Sequence, residues 1–332
     1  HLKAEFPPIS EPEPVPSEIK TLGDLRVFPD GMLPEAAIHG RRVIDNWQEA
    51  SEKAFTRMLP GSAAEFGSFA STFRHKLALV LQLDLPAPGE LLSVVEKETG
   101  RSDLTHTRTV LGRQGKQDRV ELESLTPAAV KLGTLLLVYP EEWGGLIDPG
   151  SGEVPPWVGP LLGKGYRVCR VSGYASGRLS IPQRAWDSYS WPWAYNRDNR
   201  LNGIQDILTA LEYLGQARPD EPLTLAGLSH CGLWCAFAGA VSGRADRVLA
   251  DLEWRDPGYE GELLSLLPVG SIRRVGDFRT AALLLMQQGL VLLNPAEGFD
   301  RAWYEEMGRK LGLSGNLVFE EMDNIRRLAG LL

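Results

Sequence analysis

The sequence predicts an α/β fold with a mostly parallel central sheet and helices on both faces. Two observations carry that expectation. From residue 132 onward, short apolar runs alternate with segments of helical spacing. The runs are continuous rather than alternating, which suits strands covered on both faces. A third observation points to function: one run passes through Gly-x-Ser directly into a helical segment.

In chain order, residues 1–20 come first; they are rich in Pro and Glu and are expected to form an extended arm. Leu25-Arg26-Val27-Phe28 alternates in polarity and ends in the turn signal Pro29-Asp30-Gly31. Residues 35–58 and 63–84 carry apolar positions at helical spacing. Residues 104–123 suggest a hairpin split by Gly115-Lys116-Gln117-Asp118. We therefore expect residues 21–131 to form a helical and hairpin segment packed on a core of residues 132–332.

Within that core the expected strands are 135–139, 166–171, 223–226, 248–252, 290–293 and 317–319. The expected helices are 157–163, 199–214, 231–242, 276–288 and 299–312. No internal repeat is visible.

Composition narrows the function classes. The chain has 332 residues, 43% hydrophobic and 23% charged, with a formal net charge of -8. An acidic balance argues against a nucleic-acid partner. The longest strongly apolar stretch, residues 281–293, is broken by Gln287, Gln288 and Gly289 and is too short to span a bilayer. No P-loop pattern and no paired histidines are present, so neither a nucleotide cofactor nor a metal is expected. The sequence starts at His1, and no signal-peptide pattern is visible in it. The missing initiator suggests a processed product or a piece of a longer protein, and no compartment follows from it. Cys169, Cys231 and Cys235 are an odd count, read as small packed residues rather than a disulfide framework.

The chemistry centres on Leu225-Ala226-Gly227-Leu228-Ser229-His230-Cys231-Gly232. A strand followed by Gly-x-Ser and a helix is the setting of a nucleophile elbow, where the turn strains the serine and the flanking residues must be small. Cys231 stands where such elbows often carry glycine, and Gly232 follows it. The competing reading makes Ser229 a simple N-cap of the helix at 231–242.

An elbow supplies one oxyanion donor, the backbone N–H of the next residue, here His230. The loop 139–145 follows an earlier strand and would supply the second, assigned to Glu141. An acid is expected after the strand at 290–293, at Glu297 or Asp300, with Asp251 and Glu253 as second choices. Asp300 also precedes a helix and would cap it. No histidine follows the last strand. The five are His1, His39, His75, His106 and His230, and none is placed as a base. Without one, a serine hydroxyl is a poor nucleophile at neutral pH. Substrate contacts are expected from Trp143 and Tyr174, and from Trp193 and Tyr195 in an aromatic cluster with Trp186, Tyr189 and Trp191. That cluster is either a packed lid or a sugar platform.

With these residues in view, positions 133–322 resemble the α/β-hydrolase domains of bacterial acetyl xylan esterases and dienelactone-hydrolase-like esterases. The likeness rests on Ser172-Gly173-Tyr174, Ala194-Tyr195-Asn196-Arg197, the run 205–211, the elbow 226–234 and the run 248–252. It is similar to the carboxyl-terminal halves of tandem proteins of this kind, which implies a preceding hydrolase domain as partner. The resemblance implies a serine hydrolase of small carboxylic, acetyl-type esters, including carbohydrate esters, with Ser229 as nucleophile. The alternative is a degenerate domain that binds or scaffolds.

Overall fold

The computed structural model describes residues 40–101, 103–172 and 197–332. The chain divides into two compact units, residues 1–49 and 50–332. Of the first, residues 40–49 are described, and they are the opening turns of helix α1, Gly40–Met58. The second unit carries the sheet.

Among the described residues, nine strands form that sheet: β1 Leu91–Arg101, β2 Leu104–Arg113, β3 Val120–Pro127, β4 Gly133–Val138, β5 Tyr166–Val171, β6 Leu223–Gly227, β7 Arg247–Asp251, β8 Leu290–Leu293 and β9 Leu317–Glu320. The spatial order is β1-β2-β3-β5-β4-β6-β7-β8-β9. The pairs β1–β2, β2–β3 and β3–β5 are antiparallel. All pairs from β5 through β9 are parallel. The expected hairpin is β2–β3, and its strands continue the main sheet through β3–β5.

The described helices are α2 Ala63–Val80, α3 Gly159–Lys164, α4 Asn199–Ala217, α5 Cys231–Ser242, α6 Glu260–Leu266, α7 Asp277–Leu285, α8 Arg301–Leu311 and α9 Leu328–Leu331. No described helix is long and apolar enough to cross a membrane. The sequence pattern marks every strand from β2 to β9 and misses β1, α6 and α9. Strand β1 is an exposed edge, so no face of it had to be apolar in alternation.

The strand interiors explain the continuous apolar runs. In β4, Leu136 faces one buried cluster, while Leu135 and Leu137 face the other. Leu225 and Ala226 split the same way in β6, and Leu292 and Val291 in β8. The first cluster includes Phe69 and Phe73 of α2, Ile204 and Leu208 of α4, Phe237 of α5 and Phe278 of α7. The second holds Leu161 of α3 and Leu328 of α9. Burying each such side chain contributes about 1.5–3 kcal/mol, so helices on both faces are required by the sequence of the strands.

The order also fixes where a site can form. The chain leaves β4 toward β5 on one side and toward β6 on the other. A crevice opens at the carboxyl ends where the direction of winding reverses. Val138 is in register with Gly227, Gly227 with Ala250, and Asp251 with Leu293. The loops after β4, β6, β7 and β8 therefore start at one level of the same sheet edge.

Candidate active site

Ser229 follows β6 and lies in the left-handed region, with φ 53°. A non-glycine residue rarely accepts that conformation, and where it does the surrounding structure holds it there. Here the clamp is steric as well as polar. A Cβ added at Gly227 would stand 2.7 Å from the Cys231 carbonyl and 2.7 Å from the Cys235 sulfur. One added at Gly232 would collide with the backbone of Asp251. Small residues at these positions let α5 start directly against β6 and β7.

The hydroxyl of Ser229 is not a helix cap. Residue His230 occupies the N-cap of α5 and makes no side-chain cap bond. Ser229 Oγ instead donates to Glu253 Oε1 at 2.6 Å. Glu253 stands two residues past β7, also left-handed, with φ 54°. Its other oxygen lies 3.4 Å from Arg255 Nε. Beneath them, the Ser229 amide donates to Asp251 Oδ2 at 2.9 Å, and the Glu253 amide to Asp251 Oδ1 at 2.9 Å. The side-chain amide of Asn294, the first residue after β8, donates to Asp251 Oδ1 at 3.0 Å. Asn294 also exchanges two bonds with the backbone of Met322, past the end of β9.

The backbone N–H of His230 has no hydrogen-bond partner among the described residues. The loop after β4 begins with buried Tyr139 and a 3-10 turn, Glu141–Trp143. The Glu141 carboxylate turns back to Arg170 of β5, at 2.8 Å from Nη2. Arg170 also lies 4.8 Å over the Tyr139 ring. Trp143 stacks on that ring at 5.9 Å and is 41% exposed. The far end of the loop is tied to β3: Glu123 accepts from the Leu146 amide at 2.8 Å and contacts His106 Nε2 at 2.8 Å. Burial works to raise the Glu123 carboxyl, but His106, the Leu146 amide and Arg108 outweigh it and hold it below the ordinary carboxylate value.

A cavity of about 260 Å³ lies between this loop, the start of α4 and the start of α5. Its lining includes Glu141, Arg200, Gly203, His230, Cys231 and Trp234. Burial, reinforced by Glu141 and Glu142, pushes the Cys231 thiol up to about 12. It therefore stays protonated and inert at neutral pH. All three cysteines are free and buried.

The same arrangement of strands and helices recurs in solved esterases. A Bacteroides fragilis protein assigned as an acetyl xylan esterase superposes with a TM-score of 0.65 at 13% identity, over 90% of this chain and 84% of its own. A methylesterase superposes with a TM-score of 0.57 at 14% identity, over 86% of this chain and 67% of its own. A glucuronoyl esterase from Solibacter usitatus gives 0.50 at 16% identity, over 75% of this chain and 86% of its own. This chain has the α/β-hydrolase fold. No protein-family model and no curated protein matches the sequence. The comparisons lend no support to the expected tandem arrangement.

Within this hydrolase fold the expected site residues that are described fall into three groups. Ser229, His230 and the second-choice acids Asp251 and Glu253 come together. Glu141 lines the cavity beside them, and Trp143 stacks on Tyr139 of the same loop. The acids expected after β8 do not join the serine: Asp300 caps α8 by accepting from the Trp303 amide at 3.1 Å, and Glu297 is exposed. Tyr174, Trp193 and Tyr195, with the rest of the aromatic cluster, lie outside the described residues, as do the arm 1–20, Leu25–Gly31, His1 and His39.

The described histidines are engaged elsewhere or exposed. His106 pairs with Glu123, His75 is exposed on α2, and the His230 ring packs edge-on against Trp234 at 5.2 Å between centroids. None is hydrogen-bonded to Ser229 among the described residues. Sequence reasoning missed Asn294, Arg255 and the Glu123–His106 pair. The one local signal for Asn294 was its position directly after an apolar strand.

Proposed function

We propose that the chain is a serine-type hydrolase of small carboxylic esters, acetyl-type esters among them, with Ser229 as nucleophile. One observation carries this reading: on a left-handed strand-to-helix turn, the serine hydroxyl donates to the Glu253 carboxylate at 2.6 Å. In the first step Glu253 takes the hydroxyl proton as Oγ bonds to the ester carbonyl carbon. The oxyanion is met by the His230 N–H, with the loop at Glu141 as second donor. Collapse breaks the bond to the alcohol oxygen, which receives the proton from Glu253. Water then attacks the acyl-serine as Glu253 takes its proton; collapse breaks the acyl–Oγ bond, that proton passes from Glu253 to Ser229 Oγ, and the carboxylic acid leaves. The esterase names of the structural relatives support an ester substrate, carbohydrate esters included.

A carboxylate is by its chemistry a weaker general base than an imidazole. Turnover should therefore be slow on natural esters and easier to see on activated ones, whose leaving group needs little help. The second reading is a degenerate domain with a binding or scaffolding role. It is favoured by the fact that Ser229 meets a carboxylate, not an imidazole, among the described residues.

Fluorophosphonate labelling of the purified chain separates the two, together with p-nitrophenyl acetate hydrolysis. The hydrolase reading expects a single label on Ser229 and slow turnover, both abolished by Ser229→Ala. No label, with an ester rate indifferent to Ser229→Ala, would leave the non-catalytic reading standing.

A further inference from the structure

We infer that Asp251 is the positioning residue of this site, a single carboxylate that sets the serine and its acid relative to each other. The inference rests on the hydrolase reading for its effect on turnover, but its geometry stands apart from it. Among the described residues, seven that are not glycine have positive φ, and four of these cluster here: Ser229, Glu253, Trp254 and Asn294. Strained residues of this kind persist only where neighbours over-determine them. Asp251 supplies that determination. Its Oδ2 accepts from the Ser229 amide and its Oδ1 from the Glu253 amide, each at 2.9 Å. Asn294 completes the bracket with its own bond to Oδ1, and its carbonyl accepts from the Trp254 amide at 2.7 Å.

Asp251 has only 8% of its surface exposed, and its charge is met by three neutral N–H donors rather than a cation. An ionised carboxylate can accept from both of its oxygens at once. Asparagine cannot: its NH₂ would face one of the two backbone N–H groups. The same bond commits the Ser229 amide, so the elbow's free donor is that of His230. Asp251 thus touches no reacting atom and acts through the two residues that do.

The test uses Asp251→Asn, with Asn294→Ser as a milder second variant that keeps the carboxylate. In the full chain, hydrogen exchange is read at the Ser229 and Glu253 amides, and kcat and KM are measured on p-nitrophenyl acetate. Asp251→Asn is expected to speed exchange at both amides while Val248–Ala250 stay protected, and to lower kcat about 10–100-fold with KM unchanged. Asn294→Ser should move both readouts in the same direction by less. In an Asp251→Asn/Glu253→Gln double variant the two losses should not add, because one acts through the other. Unchanged exchange at the two amides, or a kcat equal to that of the parent in a folded Asp251→Asn variant, would overturn the inference. If the parent chain neither labels at Ser229 nor turns over, the hydrolase reading fails alone, and the exchange experiment still decides the role of Asp251.

Discussion

The loops after β7 and β8 leave the same sheet edge side by side, and each carries two carboxylates: Glu253 and Asp256 in the first, Glu297 and Asp300 in the second. Only the first loop reaches the serine. Neighbouring strands lie about 4.8 Å apart. Strand β7 is hydrogen-bonded to β6, so a side chain from its loop needs to cross one spacing; β8 is one strand further away. A left-handed φ at Glu253 turns its carboxylate back over the elbow. In the second loop the chain turns into α8 instead, and Asp300 is taken up by its N-terminal turn. Direct contact with the nucleophile thus depends on strand adjacency and on one backbone conformation, not on which loop holds more acid.

The largest effect should come from the carboxylate in contact. Glu253→Gln keeps the shape and removes the base, and kcat for p-nitrophenyl acetate should fall by about 10²–10⁴-fold, with little change in thermal stability. A variant as active as the parent would remove Glu253 from the chemistry.

The next effect tests the packing that lets the first loop come so close. Gly232→Ala would drive a Cβ into the backbone of Asp251. Overpacking of this kind costs typically about 1–3 kcal/mol, read as a lowered urea midpoint. Labelling of Ser229 should fall with it, because the elbow and β7 must move apart. An unchanged midpoint would mean that the contact relaxes easily.

In the second loop the expected changes are smaller and of another kind. Asp300→Ala should cost about 1 kcal/mol of stability through the lost cap, with kcat preserved in the folded fraction. Glu297→Gln, at an exposed position, should stay within about ±0.5 kcal/mol and leave turnover untouched. A loss of orders of magnitude in kcat from either variant would reverse the contrast and bring the second loop into the mechanism.

A further contrast concerns buried carboxyls away from the elbow. Asp206 of α4 is pushed well above its ordinary value by burial and by Asp118, against the pull of Arg197 and Arg113. Its folded-state value lies above the unfolded one, so its contribution favours the fold at low pH and is lost as pH rises through the folded value. Asp206→Asn should accordingly flatten the fall in stability that sets in as pH rises above the ordinary aspartate value of about 4. A profile parallel to the parent's would show that Asp206 does not titrate there.

Much of the fold was legible because parallel strands buried on both faces must be apolar throughout. The run Leu135–Val138, after the hairpin, and the run Leu290–Leu293, between two helical segments, are each short and apolar throughout. Ser229 was legible for a related reason: the strand before it, the helix after it and the glycines at 227 and 232 are all local. The acid was not. Glu253, Asp256, Glu297 and Asp300 look alike in a linear string, and each sits shortly after a strand. Which one meets the serine is settled by strand order and by φ at a single residue, and neither has a local signature.

The sequence by itself determined the parallel sheet, the two helical layers and the turn that presents Ser229, since each depends on residue size and apolarity over a short stretch. The tertiary structure alone decided that Glu253 is the hydroxyl's partner, that Asp251 and Asn294 fasten four strained residues, and that Glu141 turns to Arg170. These contacts join loops and strand residues separated by tens of residues in the chain. Their free energy comes from hydrogen bonds whose partners are brought together only after the strands have taken their order.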